Sequence, residues 1–300
     1  MTLRAIILGA AAGGGLPQWN CNAPNSARFW RGEGLAPATQ SSLAVSGGEG
    51  WAVLNASPDI RQQIMGTPAL HPREGRGLRD TPIEAVLLTN GDIDHIAGLL
   101  SLRERQAFRL IMTAEIARVL AANPIFDALN PAHVTREIVG LEEPFPLAPG
   151  LTARLFAVPG KVPLYLEGET VETEMMGEQT VGVEVSSPTA TLFYIPGCAA
   201  LPEALAERLT GAALLLFDGT LWTDDEMISE GVGQKTGRRM GHMPVSGAEG
   251  SMAALSPLGI GRKIYVHLNN TNPLWRDGPE REEAARAGWE IGRDGMEIAL

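Results

Sequence analysis

Cysteine is scarce in this chain. Only Cys21 and Cys198 occur in 300 residues, which excludes a disulfide framework and suits a reducing compartment. Positive charge is also short. The 24 Lys and Arg face 35 Asp and Glu, for a formal charge of −11. That balance keeps a protein in solution and repels phosphate backbones and anionic membranes. The one basic stretch, KTGRR (Lys235, Arg238, Arg239), is short, so nucleic acid is not an expected partner. Long apolar runs are missing too. None approaches the roughly 18–20 residues of a membrane span, and no membrane insertion is expected. The opening MTLRAIILGAAAGGG carries a basic residue and alanines. Its apolar stretch before Gly9 is shorter than the roughly 7–15 residues of a secretory core. Leu3–Leu8 reads as a first buried strand, and the protein as cytoplasmic.

The composition that is present, 44% hydrophobic and 20% charged, is that of a globular chain able to bury a large core. The length fits one large domain or two small ones, and residues 1–300 are read as a single domain. Strand-like runs recur: LRAIIL, SLAVSG, GWAVLNA, IEAVLLT, FRLIMT, LTARLFAV, TVGVEVS, ATLFYIPG, ALLLFDGT and KIYVHLN. They are rich in β-branched residues and are separated by Gly, Pro and Asn. Helix-like runs fall around 58–65, 96–107, 114–122, 202–209, 246–255 and 279–287. Each half groups strands before helices, which favours two mixed sheets with helices outside them over a doubly wound sheet. The expected fold is an α/β four-layer αββα sandwich. GAAAGGG after the first strand lacks the G-x-G-x-x-G spacing of a dinucleotide loop. It reads as a tight loop allowing close backbone approach.

Five histidines are present. His71 and His133 lie in polar, Pro-bounded contexts and read as surface loop residues. His267 ends an apolar strand before a polar turn. It either points into a cleft or is a hydrogen-bonded strand end. His242 lies in RRMGHMPVSGAEG. It is either a plain loop residue or functional, with Ser246 and Glu249 spaced as a capping box for a following helix. The densest cluster is TNGDIDHIAGLL at 89–100, which places Asp92, Asp94 and His95 in one turn between a strand and a helix. Asp94 as N-cap of a helix from Ile96 would account for one acid. It would not account for a second acid and an adjacent imidazole. Two close carboxylates repel unless a cation or donors intervene, and carboxylates with neutral imidazoles are common divalent-metal ligands.

At this turn the sequence resembles the metallo-β-lactamase superfamily, whose hallmark is H-x-H-x-D-H between a strand and a helix. Here the place reads N-G-D-I-D-H. Asn90 and Asp92 replace the first two histidines, and Asp94 and His95 are retained. Asn55 stands where an aspartate is usual, Lys161 where a third histidine is usual, and Cys198 at the bridging aspartate. His267 matches the last histidine. A more specific resemblance, running nearly end to end, is to the PqqB family of pyrroloquinoline quinone (PQQ) biosynthesis. It is carried by LGAAAGGGLPQWNCN, NASPDIRQQI, the 89–100 turn, LFDGTLWTDDEM, GHMPVSG and HLNNTNPL. Members commonly carry a Cys-x-Cys-x-x-Cys zinc cluster after Gln-Trp-Asn. Cys21, Ala23 and Ser26 occupy those places here, so no structural zinc is expected at Cys21.

The resemblance implies a metallo-β-lactamase-type αββα fold and an iron-dependent hydroxylase acting on the tyrosine ring of a cross-linked Glu–Tyr precursor, with O2 as co-substrate. An ammonium at Lys161 disfavours the first metal position. Asp94, His95 and His267 remain as one carboxylate and two imidazoles, the facial set of non-haem Fe(II) oxygenases. Asp92 is either a further ligand or an orienting group. Fe(II) is the expected metal, with zinc able to occupy the same ligands. His242 and Asp218 are candidates for proton transfer, Lys161 for a catalytic role or a substrate carboxylate, and Arg238 and Arg239 for substrate carboxylates. Other proteins of PQQ biosynthesis are candidate partners. Two other classes stay open: a non-catalytic carrier of PQQ or its precursor towards the periplasm, and a metal-dependent hydrolase.

Overall fold

The computed structural model describes residues 2–168 and 170–300. Its ten apolar runs each form a strand, and two seven-stranded sheets result. The first sheet holds β1 (Arg4–Gly9), β2 (Ser42–Ser46), β3 (Trp51–Leu54), β4 (Ile83–Leu87), β5 (Phe108–Met112) and β6 (Val134–Ile138). The second holds β7 (Pro144–Ala148), β8 (Leu151–Ala157), β9 (Val181–Ser186), β10 (Thr191–Ile195), β11 (Leu214–Asp218), β12 (Arg262–Val266) and β13 (Trp289–Ile291). The chain then returns to the first sheet, where β14 (Met296–Ala299) pairs antiparallel with β1.

Alternation along each strand builds the layers. On β1, Ala5 and Ile7 join Val45, Leu87, Val183, Tyr194, Leu214 and Ile264 in the core between the sheets. Ile6 and Leu8 face the other way, towards Ile60, Ile96, Leu99, Ile116 and Leu120 on the helical side of the first sheet. On the second sheet Phe156, Phe193, Leu215 and Phe217 pack against Leu205, Leu209, Leu255 and Ala284 on its helices. The result is helix, sheet, sheet, helix.

Four strands escape the sequence pattern, and each has a reason. β6 is VTREI with a single fully buried residue, β7 contains two prolines, β13 has three residues, and β14 is a half-exposed edge. The helix Pro24–Trp30 also lacks an apolar stripe. Two helix expectations are corrected. The run at 96–107 is a short helix at Ile93–Ile96 continued by a 3-10 turn to Leu102, with Asp92 rather than Asp94 at its N-cap. The run at 246–255 is helical only over Ser251–Leu255, after Gly250. Ser246 does not cap it, because its hydroxyl donates instead to the Trp222 carbonyl at 2.7 Å.

The Gly-rich loop is tight, for a visible reason. A Cβ on Gly9 would lie 2.1 Å from the Gln40 carbonyl oxygen, whereas one on Gly13 would meet the Asp94 carboxylate at an ordinary contact distance of 3.6 Å. This loop, the turn after β4 and the ends of β11 and β12 meet along one rim. Parallel pairing of β11 with β12 puts Asp218 beside Val266, so the next residue, His267, emerges near Asp218.

Candidate metal centre

A cavity of about 420 Å³ opens on that rim. Asn90, Asp92, Asp94, His95, Lys161, His242 and His267 all line it. Three of these converge. Asp94 Oδ2 lies 3.1 Å from His267 Nε2 and 3.6 Å from His95 Nε2. His267 holds a left-handed backbone, φ 58°, which a non-glycine residue rarely adopts without compensation.

Hydrogen bonds fix which imidazole nitrogens are free. Asn90 Oδ1 accepts the Asp92 N–H at 2.9 Å and sits 2.7 Å from His95 Nδ1. An oxygen already accepting one proton accepts a second here, so His95 carries its proton on Nδ1. Its Nε2 is then a bare lone pair, and that atom is buried with no hydrogen-bond partner. Thr220 acts alike on His267. Its hydroxyl donates to Asp218 Oδ1 at 2.6 Å, so its oxygen accepts from His267 Nδ1 at 2.8 Å. Neutral His267 would then aim a second lone pair at the Asp94 carboxylate. Two acceptors 3.1 Å apart require a proton or a cation between them. The donor set therefore fits a divalent metal: Asp94 Oδ2, His95 Nε2 and His267 Nε2.

The electrostatics agree. Burial pushes His95 down to about 4, against the pull of Asp94, so it stays neutral and able to ligate. Burial alone would raise Asp94, but His95 and His267 more than reverse it and hold the carboxylate well below its usual range. Burial lowers His267, yet the hydrogen bond and charge of Asp94 outweigh it and leave the group raised.

Asp218 and His242 form a second layer against His267. Asp218 Oδ2 accepts from His242 Nδ1 at 2.7 Å and from the Cys198 N–H at 2.9 Å. Its Oδ1 accepts the Thr220 N–H at 3.0 Å and the Thr220 hydroxyl. Asp218 is fully buried and takes four donors, so it positions His242 and Thr220, although with His242 and His267 it forms a second group of converging metal donors. His242 stacks on His267 with ring centroids 5.1 Å apart.

Other expected residues fall elsewhere. Asp92 lines the cavity, but its Oδ1 accepts the Leu164 N–H at 3.0 Å and it lies outside the converging trio. Burial and the neighbouring Asp94 raise its carboxyl. Lys161 Nζ is 3.0 Å from Glu167 Oε1. Arg239 reaches the same carboxylate at 3.2 Å. Arg238 and Arg239 are corrected: neither lines the cavity. Arg238 pairs with exposed Glu249 at 3.2 Å and points away from Glu167. Successive side chains on the helix Gly237–Met240 diverge by about 100°, so 238 and 239 cannot face the same way. Cys198, at the bridging position, is a buried thiol pushed well up by burial and Asp218, and it donates to the Ala200 carbonyl at 3.0 Å. His71 is exposed and bonds the Met65 carbonyl at 3.1 Å, while His133 is half-buried. Thr220, Glu167 and Lys235 were not singled out from the sequence. The D-G-T turn ending β11 was the available signal for Thr220.

Hydrogen bonds tie the loop around Cys21 to the turn after β12. Cys21 Sγ donates to Asn270 Oδ1 at 3.3 Å, and Asn25 Nδ2 donates to the carbonyls of Asn270 and Asn272 at 2.8 and 2.9 Å.

The sandwich and the reduced ligand set narrow the comparison with known proteins. A β-lactamase superfamily domain model matches residues 50–268. The coenzyme PQQ synthesis protein B of Ruegeria pomeroyi is 58% identical over 300 residues, covering 99% of this chain and 100% of that protein. The chain belongs to the coenzyme PQQ synthesis protein B family. Its three-donor centre and its Asn90, Lys161 and Cys198 are thus features of a PqqB-type member of the β-lactamase superfamily. The crystal structure of Zn2+-bound PqqB from Methylobacterium extorquens is 50% identical, with TM-score 0.97 over 99% of this chain and 100% of that one. A diphosphatase of the PhnP family shares the fold at 18% identity and TM-score 0.70, covering 100% of this chain and 98% of that one. Among the described residues no helix is long and apolar enough to cross a membrane.

Proposed function

We propose that this PqqB-family protein is a metal-dependent oxygenase of PQQ assembly, which hydroxylates the tyrosine ring of a Glu–Tyr precursor. The observation that carries the reading is the bare, buried Nε2 of His95 converging with His267 Nε2 and Asp94 Oδ2. One carboxylate and two imidazoles suit Fe(II), and zinc can occupy the same donors. Bound Fe(II) supplies the redox chemistry that lets O2 react with a phenol. The three imidazoles of a hydrolytic first site are replaced by Asn90, Asp92 and Lys161, which disfavours the hydrolase reading.

The chain's own groups have distinct tasks in this proposal. Asn90 and Thr220 hold the two ligating imidazoles in the productive tautomer. His242 donates its Nδ1–H to Asp218, leaving Nε2 to accept the phenol proton. Lys161 neutralises a precursor carboxylate, and Arg239 reaches the cavity wall only through Glu167. The partly enclosed cavity limits water. The oxygen inserted comes from O2, two electrons come from an external reductant, and the second oxygen atom leaves as water.

Anaerobic reconstitution with Fe(II) tests this. The protein is mixed with a Glu–Tyr dipeptide, ascorbate and O2, and the product is weighed by mass spectrometry. One added oxygen on the ring is expected. An unmodified dipeptide with the metal centre intact would overturn the oxygenase and favour the carrier.

A further inference from the structure

One wall of the cavity gathers more cations than its own acid requires. Lys161, Lys235 and Glu167 line it. Glu167 Oε1 lies 3.0 Å from Lys161 Nζ, and Oε2 lies 3.1 Å from Lys235 Nζ and 3.2 Å from Arg239 Nη2. The Glu167 side chain is only 9% exposed. Burial would raise its carboxyl, yet the three cations bring it down to about 2. Among the described residues none of the three cations pairs with a second carboxylate. Arg239 Nη1 and Glu167 Oε1 are each buried with no hydrogen-bond partner, so Lys161 meets Glu167 by charge alone. Asp92 is within electrostatic reach of Lys161 but spends Oδ1 on the Leu164 N–H.

A brace for the loop at 161–168 would need one cation. Two more, held close together, repel each other unless further negative charge arrives. The loop already has other anchors: Asp92 holds the Leu164 N–H, and the Tyr165 hydroxyl donates to the Gly91 carbonyl at 2.7 Å. In a chain of net charge −11, three cations sharing one carboxylate among the described residues beside a cavity mark a place for an anion.

We propose that Lys161 and Lys235, with Arg239 joined to them through Glu167, form an anion subsite for a dicarboxylate, and that Glu167 fills one carboxylate place until that ligand arrives. This rests on reading the cavity as the place where the Glu-derived precursor binds. Glu167 is then a built-in competitor: it keeps the cations ordered in the empty cavity and lowers affinity for ligands with one carboxylate.

Isothermal titration of the zinc-loaded protein without O2 tests the subsite, with glutarate as the dicarboxylate probe, butyrate as the monocarboxylate and glutaramide as the uncharged analogue. Glutarate is expected to bind more tightly than butyrate, and glutaramide not at all. Glu167→Gln removes the resident charge and is expected to tighten glutarate binding about tenfold, the scale of one unit charge at close range in a partly solvated site. Lys235→Gln is expected to weaken it about tenfold. Unchanged or weaker binding in Glu167→Gln, or unchanged binding in Lys235→Gln, would overturn the proposal. So would loss of all glutarate binding in metal-free protein, which would place the carboxylate on the metal instead. No turnover is read, so an inert protein with these affinities would sink the oxygenase and leave the subsite standing.

Discussion

Replacing Asn90 by alanine should weaken metal binding without touching a ligand. Asn90 Oδ1 is the acceptor for His95 Nδ1, at 2.7 Å. With it gone, the proton of the neutral ring has a better partner on the other side. Asp94 Oδ2 lies only 3.6 Å from His95 Nε2, and a small ring adjustment would let Nε2–H donate to that carboxylate. The lone pair needed for the metal is then consumed, and the tautomer must be reversed before a metal can bind. The Asp92 N–H, held at 2.9 Å, also loses its acceptor, which loosens the turn carrying Asp94. Outer groups that orient a ligating histidine typically contribute about 10–100-fold in metal affinity, or about 1.4–2.7 kcal/mol. Zinc affinity of the chelator-stripped protein, measured by competition with a chromophoric chelator at neutral pH, gives the number directly. A thermal melt of the metal-free variant checks that the fold persists. Zinc affinity equal to that of the parent protein, in a folded Asn90→Ala, would refute the tautomer argument.

Three further outcomes are expected. His95→Ala and His267→Ala should each abolish stoichiometric metal binding, read by elemental analysis after dialysis, while far-ultraviolet circular dichroism stays native and His71→Ala changes neither. Asp218→Asn should cost about 1–3 kcal/mol in urea unfolding, because four donors now face Asp218 and an amide turns a donor towards at least one of them. Glu226 supplies a pH dependence: burial raises its carboxyl from an ordinary 4.5 to about 7. That contribution to stability is fully present below the ordinary value and is lost as pH rises through about 7, a total change on the order of 3 kcal/mol. Glu226→Gln should remove this slope, and an unchanged stability profile between about pH 5 and 8 would contradict it.

The sandwich was legible because its central strands are buried on both faces and read as near-continuous apolar runs. Leu214–Asp218 and Trp51–Leu54 are of this kind. Edge strands such as Val134–Ile138 bury too little to leave a pattern. Asp94, His95 and His267 stood out because acids and imidazoles at strand ends are costly to place without a reason. Thr220 and Glu167 did not stand out. A hydroxyl joining Asp218 to His267, and an acid gathering cations from 161, 235 and 239, are products of long-range packing that no local spacing records. Arg238 shows the converse: adjacency in KTGRR suggested a shared task, and the helical turn separates it from Arg239.

Anomalous diffraction from a zinc-soaked crystal tests the central claim most directly. A peak within bonding distance of Asp94 Oδ2, His95 Nε2 and His267 Nε2 is the predicted result. A peak at the Asp218–His242 pair with none at the trio, or no peak in the cavity, would contradict the account.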